Sequence, residues 1–117
     1  MHELSLCQNL IDQLTTLTRQ HQAVGVARVE LRIGQLSGVE PALLETAFDL
    51  ARPGTVAASA DLLTHIIPPR IVCADCGMTA RVDTNDLRCP TCGGSDTELV
   101  DGHELILARV ELLQSGG

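Results

Sequence analysis

Cys73-Ala74-Asp75-Cys76-Gly77 and Cys89-Pro90-Thr91-Cys92-Gly93 are two copies of one pattern in a chain of 117 residues. A Cys-x-x-Cys pair closed by glycine is a tight turn that offers two sulfurs to one edge of a tetrahedron. Two such pairs supply the four thiolates of a structural Zn²⁺ shell. The same four thiols are also compatible with two disulfides or with a rubredoxin-like iron site. A closed four-thiolate shell leaves no position for a substrate, so this metal is expected to shape the chain, and the function must lie elsewhere.

On either side of that stretch the hydrophobic period changes in ways that assign the elements. Leu4, Cys7, Leu10, Ile11, Leu14 and Leu17 recur at helical spacing from about Glu3 to about Gln20. Cys7 lies on that apolar stripe and reads as a small core residue. From Val24 to Ile33 the period is two, with Val29, Leu31 and Ile33 on one face and Arg28, Glu30 and Arg32 on the other. Pro41 suits the first turn of a second helix, whose expected stripe is Leu43, Leu44, Ala47, Phe48 and Ala51, ending before Arg52-Pro53-Gly54. Asp61 to Ile67 reads as a second strand stopped by Pro68-Pro69, and Leu105 to Leu113 as a third. In the third, Ile106, Ala108, Val110 and Leu112 alternate with Arg109 and Glu111.

Helix, strand, helix, strand, cysteine module, strand is the order of a two-layer α+β unit: a small sheet of about three strands, two helices and an inserted zinc-ribbon-like module. The expected boundaries are a discontinuous domain at 1–69 and 103–117, and a zinc-binding module at 70–102.

Composition removes several functions. The formal net charge is -7, and all eight basic side chains are Arg. Between Arg70 and Val100 the basic residues Arg70, Arg81 and Arg88 face the acidic Asp75, Asp83, Asp86, Asp96 and Glu98. A zinc-ribbon nucleic-acid module is poorly served by that balance, because phosphate binding draws on Lys and Arg charge. Phe48 is the sole aromatic residue, whereas rubredoxin-type centres lie in aromatic cores. His65 and His103 have no Ser or Cys nucleophile motif beside them, so a hydrolase is not expected. There is no basic start followed by an apolar run and no span for a membrane, and paired thiols fit a reducing cytoplasm.

Met1-His2-Glu3 opens the first helix. A terminal amine, the next backbone nitrogen and the imidazole of a second-position His can wrap one metal in fused chelate rings, with Glu3 in reach as a further donor. Such nitrogen donors suit Ni²⁺ or Cu²⁺ better than tetrahedral Zn²⁺. Helix-start N–H groups have no intrahelical partner to lose, although the positive end of the dipole repels a cation by about 0.3–1 kcal/mol. The residues alone leave open that His2 and Glu3 are simply polar first-turn residues.

Taken together, Met1-His2-Glu3-Leu4-Ser5-Leu6-Cys7, Arg32-Ile33-Gly34-Gln35-Leu36-Ser37-Gly38-Val39-Glu40, Ala47-Phe48-Asp49, the two cysteine pairs and Glu104-Leu105 before Val110-Glu111 resemble the HypA/HybF-type nickel metallochaperones of NiFe-hydrogenase maturation. The resemblance runs in order over essentially the whole chain. It implies a nickel carrier, not an enzyme, with Ni(II) as transient cargo on His2, Met1 and Glu3, and with Glu40 beside them. It also implies structural Zn(II) on Cys73, Cys76, Cys89 and Cys92. The implied partners are a nickel-binding GTPase and the hydrogenase large-subunit precursor, with urease as a further recipient in some members. Neither the Lys-free composition nor His103 touches these metal motifs.

Overall fold

A computed structural model describes residues His2–Gln114. In chain order the elements are helix α1 (His2–Gln20), strand β1 (Gly25–Gly34), helix α2 (Pro41–Ala51), and strands β2 (Asp61–Ile67), β3 (Arg70–Cys73), β4 (Thr79–Arg81), β5 (Thr97–Asp101) and β6 (Leu105–Leu113). They form an α+β fold with two three-stranded sheets, ordered β2-β1-β6 and β4-β3-β5. The second helix and second strand begin and end where the sequence places them. The cysteine module, read from sequence as a zinc-ribbon-like insertion with no strands assigned, contains the three short strands β3, β4 and β5. These are too short, and too rich in polar residues, for periodicity to announce them.

The chain divides into two compact units. One takes the chain up to Leu31, Glu40–Thr64 and the chain from Leu107 onward; the other takes Arg32–Val39 and His65–Ile106.

In the first unit α1 packs on α2. Its buried apolar residues are Cys7, Leu10, Ile11 and Leu14 from α1, Val26, Val29 and Leu31 from β1, Leu44, Ala47 and Phe48 from α2, and Ala57 and Ala60 before β2. Each buried Leu, Val, Ile or Phe contributes about 1.5–3 kcal/mol relative to exposure, so an almost wholly aliphatic set suffices. The stripe of α2 is narrower than its spacing suggests, because Leu43 is 56% exposed. Thr18 is buried where the pattern offered no apolar residue, and its hydroxyl is satisfied by donating to the Leu14 carbonyl at 2.7 Å.

The end of α1 is set by local geometry. Gln22 adopts φ 54, the Ala23 N–H bonds the Thr18 carbonyl at 2.9 Å, and the Gln22 N–H bonds the Arg19 carbonyl at 3.2 Å. This is a Schellman cap with glutamine in the left-handed position that usually takes glycine.

The outer face of β1 carries its charges as the alternation predicts. Arg28 pairs with Glu111 at 3.7 Å and Glu30 with Arg109 at 3.8 Å, which puts the two β6 charges on that same wet face.

In the second unit β3 runs antiparallel to both neighbours, pairing Ile71 with Ala80 on β4 and with Leu99 on β5. Its core is small: Ile71, Cys73 and Cys89, with Val82 and Leu99 packed against them. Among the described residues, no helix is long and apolar enough to cross a membrane.

Candidate metal centres

The two cysteine knuckles are built alike, hydrogen bond for hydrogen bond. In the first, the Gly77 N–H donates to the Cys73 carbonyl and the Cys73 N–H donates to Met78, each at 2.9 Å. In the second, the Gly93 N–H donates to Cys89 at 2.8 Å and the Cys89 N–H donates to Gly94 at 2.9 Å. The closing glycines adopt φ 75 and φ 74, the left-handed conformation that lets each turn fold back within one residue.

These turns bring the four sulfurs of Cys73, Cys76, Cys89 and Cys92 within 4.8 Å of one another. The contacts between knuckles, Cys73 to Cys92 and Cys76 to Cys89, are both 3.6 Å. A tetrahedron with metal–sulfur bonds of about 2.3 Å has an edge of about 3.8 Å, so the donor set fits Zn²⁺. All five cysteines are free thiols in this arrangement, which is not that of two disulfides.

The electrostatics of the cluster also call for a cation. The backbone N–H of Cys92, then that of Thr91, point at the Cys89 sulfur and hold its thiol down to about 6. The Gly94 N–H favours the Cys92 thiolate, but the neighbouring Cys73 and Cys76 sulfurs outweigh it and push Cys92 up to about 12. Four adjacent thiols do not all ionise unaided; a dication lets them.

One residue of this centre was not singled out from sequence. A Cβ placed on Gly94 would stand 2.8 Å from Asp75 Oδ2 and 3.2 Å from Cys92 Sγ, so the carboxylate of the first knuckle lies against the backbone of the second. Nothing in the sequence distinguishes Asp75 from any polar knuckle residue.

The module also carries a surface ion pair. Arg88 is engaged by Asp86 through two bonds, at 2.9 and 3.0 Å. That guanidinium holds the Asp86 carboxyl at about 2, well below the usual carboxylate range.

At the other candidate centre, His2 and Glu3 form the first turn of α1, with His2 exposed. Met1, and with it the terminal amine, lies outside the described residues. Glu40 is the N-cap of α2, and its side chain makes no cap bond. Its N–H instead donates to Glu3 Oε2 at 3.4 Å. The fold therefore brings together Glu3 and Glu40, 37 positions apart in sequence, at the start of the helix that His2 opens.

Cys7, one turn further on, takes no part in this site. It is fully buried and its thiol donates to the Leu44 carbonyl at 3.4 Å; burial first, and the Glu3 carboxylate second, push it up to about 11. His65 lies on β2, and His103 pairs with Glu104 at 3.5 Å.

An α+β chain with a four-sulfur cage in one unit defines a metal-binding protein of small size. The family described as "Hydrogenase/urease nickel incorporation, metallochaperone, hypA" matches residues 1–112. Hydrogenase maturation factor HypA of Aquifex aeolicus (strain VF5) is 39% identical over 112 residues, spanning 96% of this chain and 97% of its own. The factor of the same name from Nitrosospira multiformis is 42% identical over 113 residues, spanning 97% of this chain and 98% of its own. The solution structure of the Ni metallochaperone HypA from Helicobacter pylori superimposes with a TM-score of 0.71 at 25% identity, covering 97% of this chain and 98% of that one. A second HypA solution structure gives 0.76 at 27% identity, covering 98% of each chain. The chain belongs to the HypA family of hydrogenase maturation factors.

Proposed function

We propose that this chain is a carrier that receives Ni(II) at its N-terminus and passes it on for hydrogenase maturation, with urease as a second recipient. In this reading His2, the Met1 amine and Glu3 hold the cargo, and Glu40 stands next to them. Cys73, Cys76, Cys89 and Cys92 hold a resident zinc that orders residues 70–102, while 1–69 and 103–117 carry the nickel. The partners are a nickel-binding GTPase and the hydrogenase large-subunit precursor, met in the cytoplasm.

The observation that carries this reading is the contact of the Glu3 carboxylate with the Glu40 N–H at 3.4 Å, because it supports having Glu3 and residue 40 together in the turn that His2 opens. A helix start suits a carrier. Its N–H groups lack intrahelical partners, so a ligand set formed there assembles and comes apart without breaking the helical ladder. Cu²⁺ outranks Ni²⁺ for nitrogen donors, so selectivity in this reading rests on supply and docking. Zinc, held by a closed shell, supplies folding energy and no chemistry.

Nickel titration of zinc-loaded protein with its native start tests the reading, beside His2→Ala and a version extended by one N-terminal residue. One Ni(II) on the native chain, lost in both alterations, is expected. Equal binding by all three, or by none, overturns it. Zinc in place of iron is tested by colour: pure protein is expected to be colourless with one zinc by metal analysis.

A further inference from the structure

We infer that Arg70 and Arg81, opposed across β3 and β4, form a docking point for an acidic segment of a partner polypeptide, with one carboxylate seated between the two guanidiniums. The pair stands out once the other basic side chains are accounted for. Of the 8 arginines, Arg28, Arg32, Arg52, Arg88 and Arg109 each hold a carboxylate at between 2.9 and 3.8 Å. Arg19 lies in the last turn of α1, where the helix dipole favours a cation. Arg70 and Arg81 have no acidic partner among the described residues. Scarcity of acids is not the reason, since acidic side chains number 15 against 8 basic ones. Asp101 is the β5 neighbour of Arg70, yet its carboxylate is taken by Arg32 at 3.8 Å and by the Gly102 N–H at 2.9 Å.

The register gives this arrangement a local cost that an incoming carboxylate relieves. Arg70 and Arg81 are direct Cα partners, and residues so paired in an antiparallel ladder project to the same face with their Cβ atoms about 4.5–5.5 Å apart. Like charges placed there oppose the pairing. Both arginines are exposed, whereas Ile71 and Cys73 turn inward to the small core of the module. Two adjacent guanidiniums suit a carboxylate, because each presents a planar fork of N–H donors and charge-assisted bonds are about twice as strong as neutral ones. The same face continues in Val72, half-buried, and Val100, 43% exposed, which gives the residues flanking that carboxylate an apolar seat. Glu98, opposite Val72, and Asp101 bound the site. One anionic group is accepted there and a row of them is repelled, which favours a polypeptide over a phosphate backbone. The site involves none of the N-terminal nickel ligands and needs only an ordered module.

The test is an NMR titration of the full zinc-loaded chain, isotope-labelled, with the capped peptide acetyl-Val-Glu-Val-amide. Its counterpart with Gln in place of Glu, inorganic phosphate and a single-stranded oligothymidylate are run beside it. The Glu peptide is expected to shift the Arg70 and Arg81 side-chain N–H signals and the Val72 and Val100 methyls, with a Kd of about 1 mM, the scale of one small contact. The Gln peptide is expected to bind about tenfold more weakly, since its amide makes no charge-assisted bond. Arg70→Gln and Arg81→Gln are each expected to weaken the Glu peptide about tenfold, and Arg81→Lys, which keeps the charge without the fork, to weaken it less. Either Gln substitution also removes the like-charge pair. Each variant is therefore expected to keep its zinc and to melt no earlier than the wild type, which separates lost binding from lost folding. Shifts that avoid Arg70 and Arg81, equal binding of the Gln peptide, variants that bind as well as the wild type or melt earlier than it, or phosphate or oligonucleotide binding more tightly than the peptide would each overturn the proposal.

Discussion

The helical unit and the cysteine unit are held together by different means. The first buries Cys7, Leu10, Ile11, Leu14, Val26, Val29, Leu31, Leu44, Ala47 and Phe48. The second has Ile33 and Pro69 buried and, around the cysteines, a small cluster of Ile71, Cys73 and Cys89 with Val82 and Leu99 against them. Cys73 and Cys89 of that cluster are also members of the four-sulfur group. Three short strands around so small a core bury little to offset the entropy of ordering their loops, and the proposed resident zinc would be their main tie. The helical unit has no such dependence. On the proposed reading, one chain uses hydrophobic burial and metal ligation as alternative routes to an ordered fold.

The largest effect expected from that contrast is on metal removal. Structural zinc in zinc-finger peptides is worth about 10–16 kcal/mol of apparent binding energy. Stripping the metal, or replacing Cys89 by Ser, should abolish amide-exchange protection over β3, β4 and β5 while the helical signal of α1 and α2 persists. Protection unchanged in the apo protein would show that the small core suffices by itself.

Phe48→Ala probes the other side. Phe48 is 1% exposed and carries the Arg52 guanidinium 5.9 Å from its ring centroid. Loss of about 3–5 kcal/mol is expected from emptying such a site. Denaturant melts followed by helical signal should shift accordingly, with zinc stoichiometry kept. A shift under about 1 kcal/mol, on the scale of an ordinary surface change, would mean the helical core is less decisive than its burial indicates.

Cys7 gives the helical unit a pH dependence of known sign. Its folded thiol is raised from 9.0 to about 11, so the folded state holds the proton more tightly than the unfolded chain. Stability is therefore fully present below pH 9 and falls between there and about 11, as the unfolded chain ionises first. The loss is on the order of 2 kcal/mol. The difference between wild-type and Cys7→Ala urea curves across that range isolates it from the other thiols, and parallel curves would show that Cys7 ionises freely in the fold.

The smallest effect is at the end of α1. Gln22 at φ 54 bears the steric cost of the left-handed region, about 1–2 kcal/mol for a non-glycine residue, partly offset in Gln22→Gly by the greater freedom of glycine when unfolded. A rise of no more than about 1 kcal/mol in thermal stability is expected. A fall would mean the glutamine side chain contributes something its backbone does not show.

Much of this was legible along the chain because it is written in short-range pattern. Knuckle spacing made Cys73, Cys76, Cys89 and Cys92 a set, alternation separated Val29, Leu31 and Ile33 from Arg28, Glu30 and Arg32, and Pro41 and Pro68 marked a helix start and a strand end. Where the pattern misled, exposure depended on a partner. Leu43 keeps helical spacing with Leu44 and Ala47, yet it faces solvent because spacing fixes a direction around the helix and not what lies there. Thr18 was passed over because its hydroxyl is hidden by a bond to its own helix, a contact polarity scales do not count.

The amino-acid sequence by itself determined the order of the two helices and the three longer strands around the cysteine module, the four-thiolate donor set and the family, since each rests on residues near in sequence or on a motif read in order. Only the tertiary structure decided that the Glu3 carboxylate reaches the N–H of Glu40, and that Asp75 lies against Gly94. It also decided that a Cβ on Gly34 would collide with the Gly102 backbone and one on Gly102 with the Pro68 and Pro69 backbone, so that neither position has room for a side chain. Contacts between residues far apart in the chain exist only once the intervening elements have packed, and no local periodicity encodes the distance that packing leaves between them.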